Sequence, residues 1–312
     1  MMESGIVMED IYLSLMNYDI ENINFVYSDD NSKELIEFKN KKKESFFLIK
    51  YIDIFKCFET LCKKNRNIKL KRLNYQSQKD KFFSQKNNKL IINSDANSSF
   101  NNKRIEKNYN SIAYTGILTH ERKENNEAIQ IFTKFGPLAF LPLSQTKTSI
   151  VFSILNDFKI KESQIFALIK KYNLNYKIKK INKLEKFNLK FFMPRSYLYN
   201  NTLFFGDILH RVHPLAGQGF NMTIRDIKIL SSLIDKKIEL GLELDESLFY
   251  DFQKKTKHLN YIFGMSIDFI HEFFKIDNKT NNLLSNSIFR VLGKNKLFKK
   301  YTDLIADKGI NI

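Results

Sequence analysis

The chain has 312 residues, 43% of them hydrophobic and 14% aromatic, with a formal net charge of +17. That supply of apolar residues excludes a chain disordered through its bulk, and ten Gly, four Pro and two Cys exclude collagen-like and disulfide-scaffold classes. One or two domains fit this length. Only eight of the 51 basic residues are Arg. Base readout and bidentate phosphate contacts draw on Arg, so no nucleic-acid partner is predicted. The Lys excess fits drift toward Lys, Asn and Ile, and it gives a weak attraction to anionic membrane surfaces.

Residues 1–20 mix apolar and acidic residues and read as a helical turn or two. Their acids come early and no basic-then-apolar layout follows, so they are not a signal peptide. Ile23–Tyr27, Leu35–Phe38 and Phe46–Tyr51 read as strands, separated by the turn signals at 28–32 and the charged cluster 39–44. From Asp53, taken as an N-cap, Ile54, Phe55, Phe58, Leu61 and Cys62 recur at helical spacing. Cys57 and Cys62 fall on different faces of that helix. They are predicted to be reduced thiols of a cytoplasmic protein.

Asn67–Leu70 is predicted as a short strand and 74–88 as a polar loop. Lys89–Asn93 reads as a buried strand and 95–110 as turn-rich. Strands of one sheet are predicted at Ser111–Leu118, Glu127–Lys134, Leu138–Leu143 and Thr148–Leu155, then a helix at 161–172. Thr202–Phe205 is apolar and precedes a Gly-containing loop and a long amphipathic helix at 222–240. Most of 246–307 follows the helical period. No run approaches the roughly 18 apolar residues of a membrane-spanning helix. Strands first and helices last argue a mixed α/β or α+β fold.

The stretch with chemical content is 202–226, TLFFGDILHRVHPLAGQGFNMTIRD. A strand, Gly206-Asp207, a loop with Pro214, Gly217 and Gly219, and then a helix aim backbone N–H groups and a positive helix end at one place. That place suits an anionic or electron-rich ligand. The glycines permit close approach of the backbone, and an Asp beyond a strand end accepts hydrogen bonds from sugar hydroxyls. On chemistry alone, a glycine-rich turn with no ligand remains the alternative. Asp207, His210 and His213 also present metal-ligand chemistry, but no fourth ligand is in view and no metal site is predicted. His120, His258 and His271 read as isolated surface or packing residues. The Phe and Met residues of 261–274 read as core before they read as a membrane-docking face.

Taken whole, the string resembles the second flavin motif of FAD-dependent aromatic hydroxylases, and most closely the ubiquinone-biosynthesis hydroxylase family. Gly206, Asp207, His213, Pro214, Ala216, Gly217, Gln218, Gly219, Asn221, Arg225 and Asp226 fall in register. Ile208 and Leu209 replace the alanines that usually follow Gly-Asp. EAIQIFTKFGPLAFLPL at 127–143 resembles the family's sheet segment. At 94–99, Asp95 and Ser99 match an Ala-Asp-Gly-x-x-Ser motif, with Ala96 where the family has Gly. The family's opening G-x-G-x-x-G turn has no counterpart in these residues.

The resemblance implies an N-terminally truncated, FAD-binding Rossmann-like domain with an inserted antiparallel-sheet substrate domain and a C-terminal helical region. Residues 1–22 would be a remnant. Residues 23–50 and 111–200 would form the substrate-domain sheet, 51–110 and 201–235 the FAD-domain portions, and 236–312 the C-terminal helices. It further implies FAD as cofactor, held by Gly206, Asp207, Pro214, Gly217, Gln218, Gly219, Phe220 and Asn221. NAD(P)H or another reductant would donate electrons, and O2 would be co-substrate. The implied reaction is hydroxylation of an aromatic ring in a polyprenyl-phenol or quinone precursor through a flavin hydroperoxide. No catalytic residue is predicted. A ubiquinone-synthesis complex and peripheral association with the inner membrane are the implied partners. The other function class is a degenerate, non-catalytic relative acting as an accessory or binding subunit.

Overall fold

The computed structural model describes residues 21–22, 24–28, 34–38, 47–48, 51–71, 90–95, 104–173, 175–213 and 218–279. In chain order the strands are β1 Glu21–Asn22, β2 Asn24–Ser28, β3 Glu34–Phe38, β4 Phe47–Leu48, β5 Ile91–Asn93, β6 Arg104–His120, β7 Glu127–Thr133, β8 Gly136–Ser144, β9 Lys147–Leu155, β10 Ile178–Ile181, β11 Glu185–Pro194, β12 Leu198–Tyr199 and β13 Thr202–Phe204. The helices are α1 Tyr51–Lys64, α2 Glu162–Tyr172, α3 Gln218–Glu239 and α4 Ser247–Lys279. The chain divides into two units. The first comprises 1–76, 113–154 and 158–186, and the second 77–112, 155–157 and 187–312.

In the first unit a mixed sheet runs β10-β6-β9-β8-β7-β2-β3. β7, β8 and β9 form an antiparallel meander, while β2 joins β7 in parallel, Phe25 opposite Ala128 and Tyr27 opposite Gln130. Strict alternation makes the meander. In β8, Gly136, Leu138, Phe140 and Pro142 are buried and the residues between them are half-buried. One face packs Leu118, Ile131, Leu138, Phe140, Ile150 and Phe152 against Ile165, Ile169 and Tyr172 of α2. Each such side chain contributes about 1.5–3 kcal/mol on burial.

The second unit holds a three-stranded sheet, β12-β13-β5, in which β13 and β5 are parallel with Leu203 opposite Ile92. Leu203, Phe204 and Phe205 pack with Leu230 and Leu233 of α3 and Leu248, Phe249 and Phe252 of α4. α3 ends at Gly241, whose φ of +66° lets the Leu242 N–H reach Lys237 O at 2.8 Å. α4 opens under Asp245, whose carboxylate accepts from the Ser247 N–H and hydroxyl at 3.2 and 2.6 Å. Those bonds, with Lys237, hold the Asp245 pKa down to about 2.

Several expectations need correction. The third strand is only Phe47–Leu48, because Tyr51 already begins α1. Tyr51 and Ile52 are exposed, so that apolar run does not enter a core, and Asp53 lies in the first turn rather than at the cap. Asn67–Leu70 is not a strand. Asn65 takes the Asn67 N–H on its side chain and the Ile68 N–H on its carbonyl, which spends the backbone in a turn. From Arg104 onward the segment expected to be turn-rich is extended, with a left-handed kink at Asn110, φ +51°. β10 and β11 were not foreseen as strands. The long helix starts at Gln218 rather than 222 and ends at Glu239. Cys57 and Cys62 are free thiols. The expectations for 1–20, 74–88, 96–103 and 280–307 lie outside the described residues.

Candidate functional site

The Phe205 N–H donates to Asn93 O at 2.9 Å and ties the end of β13 to β5. The chain then turns sharply. Gly206 adopts φ +66°, and its carbonyl accepts from the N–H groups of Leu209 and His210 at 2.8 and 3.3 Å. A Cβ on Gly206 would meet nothing within 4 Å. The glycine is therefore there for its backbone conformation, and it leaves open space in front of it. Asp207 is exposed and finds no partner among the described residues. Ile208 and Leu209, which stand where the resembling family has alanines, are buried in the core of the second unit.

His210 points inward. Its Nε2 lies 2.9 Å from Asp226 Oδ2, with both side chains buried. Asn260 Nδ2 donates to both Asp226 oxygens at 3.1 Å and to the Tyr197 hydroxyl at 3.4 Å. This network joins the Gly206-Asp207 turn to α3 and α4. Beyond it, Arg211 and Phe192 exchange backbone hydrogen bonds at 2.9 Å and fix the outgoing chain. His213 is buried against Tyr109 and His271, with ring centroids 5.2 and 4.2 Å away. Burial and then His271 hold its pKa well below the ordinary 6.5, so it is neutral at pH 7. Burial, followed by the Asp268 carboxylate, pushes the Tyr109 hydroxyl up.

α3 brings the remaining described residues. Met222 anchors its first turns with no exposed surface, while Phe220 and Asn221 are exposed. That first turn has no acidic residue, and the positive end of a helix favours an electron-rich acceptor there. A Cβ on Gly219 would approach only Val212, at 4.0 Å. Arg225 lies over the Phe263 ring at 4.5 Å. Burial lowers its pKa and Asp226 opposes the shift.

Of the residues expected to hold a cofactor, Gly206, Asp207, Gly219, Phe220 and Asn221 are described, as is the backbone of Gln218. Pro214 and Gly217 lie outside the described residues. His271 is not isolated, because it joins Tyr109 and His213. Asp207, His210 and His213 face three different surroundings, and no metal-holding group of His, Cys, Asp or Glu occurs among the described residues. Sequence reasoning missed the Asp226–Asn260–Tyr197 network. The motif carries His210 and Asp226, but no local signal marks Asn260.

No protein-family model matches the chain. It is 26% identical over 265 residues to the ubiquinone biosynthesis monooxygenase COQ6 of Dictyostelium discoideum, covering 67% of this chain and 52% of that protein. It is 27% identical over 217 residues to the Xenopus tropicalis COQ6, covering 55% and 45%. Ubiquinone hydroxylase UbiL of Rhodospirillum rubrum is 24% identical over 143 residues, 43% of this chain and 33% of its own.

The chain is similar to these hydroxylases. It spans about half the length of the curated relatives it matches first. Among solved structures, p-nitrophenol 4-monooxygenase PnpA of Pseudomonas putida superposes with a TM-score of 0.72 at 10% identity, over 95% of this chain and 86% of that one. PqsL of Pseudomonas aeruginosa, described as a probable FAD-dependent monooxygenase, gives 0.63 at 12%, over 83% and 79%. The fold is therefore that of the FAD-dependent monooxygenases.

Proposed function

We propose that this chain carries the flavin-ring end of an FAD-dependent aromatic hydroxylase of ubiquinone biosynthesis. One observation supports the reading above all. The Gly206-Asp207 turn and the start of α3 match the family's flavin motif, and their described residues offer what that group needs. Gly206 leaves open space, Asp207 is an exposed acceptor for ribityl hydroxyls, and the first-turn N–H groups of α3 suit a carbonyl of the ring. Gly219 and Phe220 present a small and an aromatic surface beside it. Pro214, Gly217, Gln218 and Asn221 complete the set by resemblance.

Bound FAD, reduced by NAD(P)H, would supply oxygen from O2 for insertion into a polyprenyl-phenol or quinone precursor. The chain's own part is to orient and to keep water out. Asp207 would hold the ribityl chain, and His210, Asp226 and Asn260 hold the turn that carries Asp207. No described helix is long and apolar enough to cross a membrane. Peripheral association with the inner membrane, where such a substrate resides, belongs to this proposal, as does membership of a ubiquinone-synthesis assembly.

Titration with FAD, followed by flavin fluorescence and absorbance, tests the reading. Uptake near one flavin per chain is expected, and Asp207→Ala should weaken it about tenfold without lowering the unfolding temperature, because Asp207 is exposed. A folded, colourless protein that takes up no added FAD would sink the enzyme reading. It would favour the second class, an accessory subunit.

A further inference from the structure

α3 and α4 border a groove of about 1430 Å³ in the second unit. Its floor is apolar: Leu233 is buried, and Ile229 and Leu259 are half-buried. Leu240, Leu242 and Ile262 reach into it with 62%, 53% and 52% of their surface exposed. The rim is basic. Lys228 and Lys236 stand one above the other on α3, and Lys254, Lys255 and His258 stand on α4, all exposed. These lysines make no ion pair among the described residues. Two carboxylates line the groove. Asp226 is turned inward to His210 and Asn260, which leaves Asp251 alone against the basic rim.

We propose that this groove takes an acidic amphipathic helix of a partner protein. Its size fits, since a helix about 10 Å across and three turns long fills roughly 1300 Å³. Its surface fits a helix laid in a groove, with an apolar row below and like charges on both banks. The rim sets the charge of the occupant, because acidic flanks meet Lys on either side while a basic helix is repelled. The chain's own residues 280–312 carry six Lys and Arg against two Asp, and a second copy carries the same +17. Neither complements the rim. A bilayer engages apolar side chains that project from a surface, whereas Leu233 and Leu259 are reached only by an occupant that enters. Arg225, Asp226 and Asn260 also line it, so an occupant would lie beside the network that holds the Gly206-Asp207 turn.

The test titrates the full chain against a fluorescent helical peptide of about four turns. The peptide carries Leu at i, i+3, i+4 and i+7 and Glu on both flanks. Saturable anisotropy is expected, together with a gain in peptide helicity by circular dichroism. A scrambled peptide of the same composition should bind at least about tenfold more weakly. Lys236→Glu with Lys254→Glu should cost the acidic peptide at least about tenfold and favour the peptide with Lys on its flanks. Ile262→Ser should weaken both peptides alike. Unchanged thermal midpoints confirm that these exposed changes leave the fold intact. Equal binding of the scrambled peptide overturns the proposal, as does indifference to the charge reversal. So does lysine-dependent binding to phosphatidylglycerol vesicles with no binding of the acidic helix, which would assign the surface to a membrane.

Discussion

Gly136 in the sheet of the first unit and Gly206 in the second both hold positive φ, at +134° and +66°. A Cβ at Gly136 would stand 2.1 Å from the Ser153 carbonyl oxygen, whereas one at Gly206 would meet nothing. The first glycine lets two strands close on each other. The second sets a turn and keeps the space before it clear. Buried polar groups divide in the same way. In the first unit, Thr148 Oγ1 accepts from Asn125 Nδ2 and lies beside His120 Nε2, each at 3.1 Å, and Asn125 Oδ1 accepts from the Tyr176 hydroxyl at 3.0 Å. Gln130 Nε2 is left over there. In the second unit, His210 Nδ1, both ring nitrogens of His213 and Arg225 Nη2 are buried without a hydrogen-bond partner among the described residues. Unpaired buried polar atoms cost about 1–3 kcal/mol each. Among the described residues, the first unit therefore satisfies its buried polar groups more fully than the second.

The sharpest way to break this comparison is to remove one polar group from each network. Asp226→Ala should cost about 3–5 kcal/mol, because it strands His210 and Asn260 in the core. Thr148→Val should cost only about 1–2 kcal/mol. Urea unfolding measures both, and equal losses would erase the distinction. The two glycines come next. Gly136→Ala should cost about 3 kcal/mol and leave FAD affinity unchanged in whatever protein still folds. Gly206→Ala should cost about 1–2 kcal/mol and appear mainly as weaker flavin binding. An FAD titration insensitive to Gly206→Ala would show the open space to be incidental.

The smallest effect concerns pH. His213 is held neutral in the folded chain, its pKa well below 6.5. Below about pH 6.5 the unfolded chain therefore binds a proton that the folded chain does not, and stability falls as pH falls through that value. His213→Phe keeps an aromatic ring against Tyr109 and removes this contribution. The wild type should then lose more stability than the variant between pH 7.5 and 5.5. Parallel pH profiles would mean that His213 is not the group responsible.

Much of the first unit is legible in the sequence because alternation is a local signal. Glu127–Thr133, Gly136–Ser144 and Lys147–Leu155 are strands within a residue or two of expectation. β11 shows the same period, with Leu189, Phe191 and Met193 buried and Lys190 exposed between the first two, yet its alternation covers too few residues to stand out. The start of α1 was misplaced because Tyr51 and Ile52 are apolar and exposed at once, so the run Phe46–Tyr51 mimics a strand. In the candidate site, the motif marks Gly206, Asp207 and the opening of α3, since spacing along the chain encodes them. Asn260 and Tyr197 reach the same place from far away in sequence, joined only by hydrogen bonds that no window of residues contains.

That distance sets an order of events during synthesis. His210 leaves the ribosome some 50 residues before Asn260, the residue whose amide holds both oxygens of its partner Asp226. At about 5–20 residues per second, the turn waits roughly 3–10 s before α4 exists to lock it. The Gly206-Asp207 turn thus waits on a helix made well after it, and a ribosome stalled within α4 would hold a chain in which Asn260 has not yet locked that turn.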